Sequence, residues 1–332
     1  MYKKSLIVLL ISTIAVAAVT LGVITAPPRQ VVKKEEKRIT FVAPMVNTGY
    51  WGRAGFGAIQ AGEKLGIDVK CVSSYVSDRE KMISNLESAV YADVDGIITV
   101  GIEDFDKFNR ALDMAAERGI PIVLIDSDIS NEKRYCYIGT DNYLAGQTAA
   151  DSMAKACGYK GDIVVIVSYL DDPNQIGRLN GFKDTISKYP EMTIQTVLEG
   201  KLSTSVSRHL ISEALEENRN ITGVFCAEGT SSIAICQLLE NTLYEERNLT
   251  VVTFELGDST IEAMKEGKVE ATIQQNSCSM GEKAVEVLNR CFKGEEQTES
   301  SIYTETLLID KENLDEQTEN KQGSVEIQWH IY

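Results

Sequence analysis

The chain has 332 residues, enough for two domains of about 150 residues, each with its own core. Apolar residues make up 43% and charged residues 25%, the balance of an ordinary globular chain rather than a disordered or fibrous one. The formal charge is −16; residues 1–38 hold seven basic and two acidic side chains, so the remainder carries −21, which disfavours nucleic acid and anionic membrane surfaces as partners.

Lys3 and Lys4 precede an uncharged apolar run from Ser5 to Ala26, 22 residues long. A membrane-spanning helix needs about 20 apolar residues, whereas the core of a signal peptide has only about 7–15. An uncleaved anchor is the favoured reading. Small residues at 15–17 and near Ala26 keep cleavage open. No cysteine precedes Cys71, which excludes a lipid-modified anchor just after the run. Pro27, Pro28 and the charged stretch 32–38 read as a stiff, solvated stalk.

From Ile39 onward, strand-like and helix-like segments alternate. Apolar runs fall at 39–46, 67–73, 95–100, 121–125, 136–139, 162–168, 192–198, 222–227, 249–254 and 269–274. Amphipathic helical windows lie between most of them. Asp78 is placed to cap one whose apolar positions are Met82, Ile83, Leu86, Ala89 and Val90. Another, 278–293, ends at Gly294, a fitting C-terminal cap. Alternation of this kind predicts an α/β protein with doubly wound parallel sheets. The runs are too many for one sheet. The pattern therefore divides the chain into a signal or anchor helix with its stalk (1–38), an N-terminal lobe (39–140 plus 276–302) and a C-terminal lobe (141–275 plus 303–332). Within the last of these, 310–323 reads as a loose acidic tail and 324–332 as an edge strand.

Signatures of catalysis and of cofactors are absent from the sequence. The glycines at 52, 55 and 57 follow the order Gly-x-x-Gly-x-Gly, only loosely like a dinucleotide fingerprint, and read as a helix start packed close to the sheet. There is no phosphate loop and no Gly-x-Ser-x-Gly elbow. Of the two histidines, His209 sits in a charged helical pattern and His330 in the tail, so neither a zinc site nor a Ser-His-Asp triad is expected. Seven cysteines (71, 136, 157, 226, 236, 278 and 291) include no Cys-x-x-Cys pair and read as buried free thiols. One disulfide stays open as an alternative.

Two stretches carry chemistry. Asn47-Thr48-Gly49-Tyr50-Trp51 follows the first strand, and Val123-Leu124-Ile125-Asp126 closes the fourth. Groups at the carboxyl ends of parallel strands face a shared crevice. Aromatic faces there cover the C–H surfaces of a sugar, and carboxylates accept from its hydroxyls.

The order of motifs resembles the type I periplasmic binding proteins, the ribose- and galactose-type sugar-binding proteins of bacterial ABC importers. The likeness runs from about Ile39 to about Ile309. Besides the two stretches above, it rests on Gly139-Thr140-Asp141-Asn142, on 177–182, on Val251 to Glu255 and on 267–275. The resemblance implies two lobes that close on the ligand about crossings near Thr140, Gln275 and Ile302. It implies that Tyr50 and Trp51 sandwich a sugar ring, that Asp126 and Glu255 accept from its hydroxyls, and that Arg178 grips it from the second lobe. Glu228 and Gln275 complete the expected ligand-binding set. No cofactor is implied. The partners implied are a small sugar or polyol and an ABC permease, in an extracytoplasmic setting.

Three positions depart from the family's pattern: Ser127 replaces an arginine beside the aspartate, Glu228 an asparagine, and Leu202 an aromatic. On this reading Asp126, Glu228 and Glu255 share one guanidinium, Arg178, so anionic sugars are expected to bind poorly. Two other functions are kept. One is a membrane-tethered sugar sensor that presents its ligand state to a histidine kinase. The other is an α/β hydrolase acting on a glycoside through a pair of these carboxylates. Repressors of the lactose type share the fold, but no helix-turn-helix precedes it here.

Overall fold

The computed structural model describes residues 36–331 apart from 46–48, 76, 104, 130–132, 246 and 321–329. The run Ser5–Ala26 with its stalk, Asn47-Thr48 and most of the 324–332 segment lie outside the described residues. Among the described residues no helix is long and apolar enough to cross a membrane.

The first lobe alternates β1 (Lys37–Val42), α1 (Tyr50–Leu65), β2 (Ile67–Ser73), α2 (Arg79–Tyr91), β3 (Gly96–Thr99), α3 (Asp106–Glu117), β4 (Ile122–Ile125) and β5 (Cys136–Gly139). The second continues with α4 (Asn142–Ala156), β6 (Lys160–Val167), α5 (Pro173–Ile186), β7 (Glu191–Glu199), α6 (Thr204–Glu217), β8 (Ile221–Cys226), α7 (Gly229–Leu239), α8 (Thr242–Glu245), β9 (Thr250–Phe254), α9 (Asp258–Lys265) and β10 (Ala271–Gln275). The chain ends with α10 (Ser277–Phe292), β11 (Ser301–Tyr303), β12 (Thr306–Asp310), α11 (Leu314–Asn320) and β13 (His330–Ile331).

Two sheets result. Their strand orders are 11-5-4-3-1-2-13 and 12-10-9-8-6-7. Among the described residues every pairing is parallel except β10 with β12. Central strands such as β3 and β4 are buried along their whole length, as helices on both faces of a parallel sheet require. Each sheet therefore separates two apolar cores. The two lobes repeat one topology, so β4 corresponds to β9 and β5 to β10. The chain passes between them after β5, after β10 and between β11 and β12.

The C-terminus departs from the sequence reading in two ways. Residues 310–323 do not form a loose tail throughout. Leu314 is 3% exposed and anchors α11 in the second lobe's core, and Asn313 braces the turn before it by donating to the Leu308 carbonyl. Nor does the whole of 303–332 belong with the second lobe. His330 and Ile331 pair in parallel with Val72 and Ser73 of β2 in the first sheet, using the N–H and C=O groups that an edge strand leaves unpaired.

Glycines fix the helices that carry the cleft. A Cβ at Gly57 would stand 2.0 Å from the Cys278 carbonyl, so α1 packs backbone to backbone against α10, while Ala54, Ala58 and Ala61 of the same helix pack on the sheet residues Ile39, Phe41 and Cys71. The second lobe repeats the device: a Cβ at Gly146 would stand 2.1 Å from the Arg178 carbonyl, locking α4 onto α5.

Candidate ligand cleft

The carboxyl ends of both sheets face each other across a cavity of about 1260 Å³. All seven residues singled out from the sequence line it: Tyr50, Trp51, Asp126, Arg178, Glu228, Glu255 and Gln275. Their surroundings assign them different tasks.

Asp126 ends β4 and Glu255 ends β9, so they are topological counterparts. Both hold left-handed backbone, with φ of 67° and 68°. That region costs a non-glycine residue about 1 kcal/mol, and strain of this kind collects at functional sites. Asp126 accepts from Tyr50 Oη at 2.6 Å. Its other oxygen accepts from Asn174 Nδ2 at 2.9 Å, a bond that joins the lobes directly. Burial raises the Asp126 carboxyl above the ordinary range, and nearby Arg178 pulls against it. Burial also lifts the Tyr50 phenol far above its ordinary value, with Asp126 and Glu255 adding to the effect, so Tyr50 stays protonated and donates.

Glu255 accepts from Gln275 Nε2 at 2.8 Å, from Gln274 Nε2 at 3.0 Å and from Arg53 at 3.3 Å. Arg53 is on α1, so this ion pair also bridges the lobes. Burial raises the Glu255 carboxyl, and Arg53 is the strongest opposing influence.

Arg178 is 2% exposed. Its Nε donates to Asn142 Oδ1 at 2.9 Å, and its two terminal nitrogens donate to the Ala227 carbonyl and to Gln275 Oε1, both at 2.8 Å. The guanidinium lies 4.3 Å over the Phe254 ring. Thr140 also donates to Gln275 Oε1, at 2.8 Å, so the Gln275 amide ties the first and second chain crossings to Arg178 and Glu255.

Two expectations are corrected here. Tyr50 and Trp51 meet edge to face, with ring planes at 89°, and Trp51 packs into the first lobe's core at 8% exposure. Perpendicular neighbours cannot sandwich one sugar ring between them. The carboxylates are also not left to share a single guanidinium. Glu255 has Arg53. Glu228 caps α7, accepting from the backbone N–H groups of Thr230 and Ser231, both at 2.6 Å. The sequence reading missed Arg53, Asn142, Asn174 and Gln274. Asn142 and Gln274 lie within the stretches 139–142 and 267–275 that carry the resemblance, and Asn174 precedes Arg178 by one helical turn and shares its face.

At the rim Arg79, at the start of α2, reaches Asp172 at 2.6 Å and Asp171 at 3.4 Å in the second lobe, and stacks 4.3 Å over Tyr169. Burial pushes the Asp172 carboxyl up to about 6 despite Arg79. Two buried polar atoms of cavity-lining residues, Asn174 Oδ1 and Ser127 Oγ, find no partner among the described residues.

A family model described as a periplasmic binding protein domain matches residues 39–296. A D-apiose import binding protein of Actinobacillus succinogenes is 25% identical over 83% of this chain and 88% of its own. The crystal structure of GanP, a glucose-galactose binding protein from Geobacillus stearothermophilus, superposes with a TM-score of 0.80 at 26% identity, over 85% of this chain and 99% of that one. A chain of the XylFII-LytSN complex superposes with a TM-score of 0.76 at 27% identity, over 83% of this chain and 98% of its own.

Proposed function

The chain belongs to the periplasmic binding protein domain family, a family of binding proteins rather than enzymes, and on that premise we propose that it binds a small sugar or polyol between its lobes outside the cytoplasm and delivers it to an ABC importer. The carrying observation is the set of polar groups converging from both lobes: Asp126 and Tyr50 from the first, Asn174, Arg178 and Glu255 from the second. Buried polar atoms are satisfied as a rule. Asn174 Oδ1 and Ser127 Oγ belong to cavity-lining residues and are buried without a partner among the described residues, so polar capacity at the cleft is left unused by the protein. A ligand bound to both lobes at once stabilises the closed arrangement over the open one.

Titration of the protein against pentoses, hexoses and polyols tests this reading. Calorimetry gives the affinity, and tryptophan emission reports closure because Trp51 lines the cavity. Saturable binding of at least one sugar is the expected outcome. No response across the panel refutes the proposal.

Sugar sensing from the membrane is the second reading. It is favoured by the likeness to XylFII, solved in complex with LytSN, and it employs the Ser5–Ala26 run as a tether. A kinase gene rather than a permease gene beside this one supports it. A mature protein starting near Pro27 and released from membranes excludes it.

A further inference from the structure

The cleft is asymmetric about its polar centre. On one side Arg79 closes the rim on Asp172 and Asp171 and is stacked on Tyr169. Around the Arg53–Glu255 pair the lining combines apolar side chains with Thr230, Asp258 and Thr260. One turn along α1 from Arg53 is Phe56. One turn into α7 is Ile233, and at the start of α9 is Ile261. All three line the same cavity as Asp126 and Arg178. Phe56 and Ile261 are half-buried, and Ile233 stays 40% exposed although direct bonds from Asp126, Arg53 and Arg79 already join the lobes. The cavity, about 1260 Å³, exceeds the roughly 300–1,000 Å³ usual for small-molecule sites. A single sugar ring held at Asp126 leaves these three apolar side chains in water.

We propose that the cleft takes a glycoside whose sugar ring occupies the polar centre and whose uncharged apolar group lies between Phe56 of the first lobe and Ile233 and Ile261 of the second. The inference rests on the sugar-binding reading. The occupant follows from shared lining: Phe56, Ile233 and Ile261 line the same cavity as Asp126 and Arg178, and Arg79 is held at its rim by Asp172. Burying apolar surface from both lobes against one group also adds to closure, because that surface is shared only when the lobes meet.

The test is calorimetric titration of the full chain with paired methyl and phenyl β-D-glycosides of glucose, galactose, xylose and ribose. For the sugars that bind, the phenyl glycoside is expected to bind at least tenfold tighter than its methyl partner. Ile233→Ser and Ile261→Ser should each bring the phenyl-to-methyl affinity ratio back toward one. Because the ratio is measured within one protein, a general loss of folding or affinity does not imitate the result. Phenyl glycosides binding no tighter than methyl ones, while free or methylated sugars bind, overturn this inference alone. Binding of no sugar and no glycoside overturns it together with the sugar reading.

Discussion

Asp172→Asn is expected to tighten ligand binding at neutral pH and to flatten its dependence on pH. Asp172 sits at the rim against Arg79, with Ser168 Oγ donating to it at 3.2 Å. Burial is the largest influence on its carboxyl and outweighs Arg79; Asp171 and Asp126 add repulsion, and the value moves from 3.8 to about 6. Opening the lobes parts Asp172 from Arg79 and returns it to water, where the ordinary value of about 3.9 applies. A group with the higher pKa in the closed state favours that state when it is protonated. Acidification from pH 7 to 5 therefore promotes closure, and raising the pH opposes it. A difference of about two pH units at about 1.36 kcal/mol each comes to about 3 kcal/mol, or about 100-fold in the closure equilibrium. About tenfold of that factor falls between pH 7 and 5 and the rest below, so wild-type affinity for a bound sugar should rise about tenfold over that range. The variant, neutral throughout, should start tight and change less. Asp126 and Glu255 are also raised by burial and are present in both proteins, so the difference between the two curves isolates Asp172. Titration calorimetry at pH 5, 6, 7 and 8 measures both curves. Equal slopes, or a variant that binds more weakly than wild type at pH 7, would refute the reasoning and make the Arg79–Asp172 pair a net latch.

Three further outcomes are expected. Gly146→Ala, ordinarily a helix-stabilising change, should instead cost about 1–3 kcal/mol, since its Cβ meets the Arg178 carbonyl at 2.1 Å. A melting temperature lowered by several degrees, with weaker sugar binding because α5 carries Asn174 and Arg178, checks this; a raised one contradicts the packing. Lys201→Gly should add roughly 1 kcal/mol, because Lys201 and Leu202 hold successive left-handed conformations at φ of 55° and 51°; an upward melting shift with unchanged affinity is the readout. Reductant should change neither melting nor affinity, since all seven cysteines are free; native thiol labelling should be confined to the half-buried Cys157, Cys278 and Cys291 and slowed at the first two, whose thiols burial raises, and Cys71, its thiol pushed up to about 12 by burial, should stay unlabelled.

The sequence by itself determined the α/β alternation, the strands β1 to β10, and the strand-end positions of Asp126 and Glu255. Each of these depends on neighbours two to four residues away, and apolar periodicity records which side of an element meets its own core. Arg178 was also legible, as a planar fork inside a recognisable helix motif. Only the tertiary structure decided what these groups bond to. Arg53, which read merely as part of a glycine-rich helix start, becomes the partner of Glu255 through contact between lobes. Glu228, counted as a third pocket carboxylate, is turned onto the α7 backbone. Tyr50 and Trp51, adjacent in sequence, diverge because one phenol reaches Asp126 while the neighbouring indole enters the core. The return of β13 to the first sheet likewise depends on an unpaired edge that no local pattern marks. Local periodicity records burial within a lobe; the site is made where two lobes meet, by side chains whose partners lie about 50 to 200 residues away along the chain.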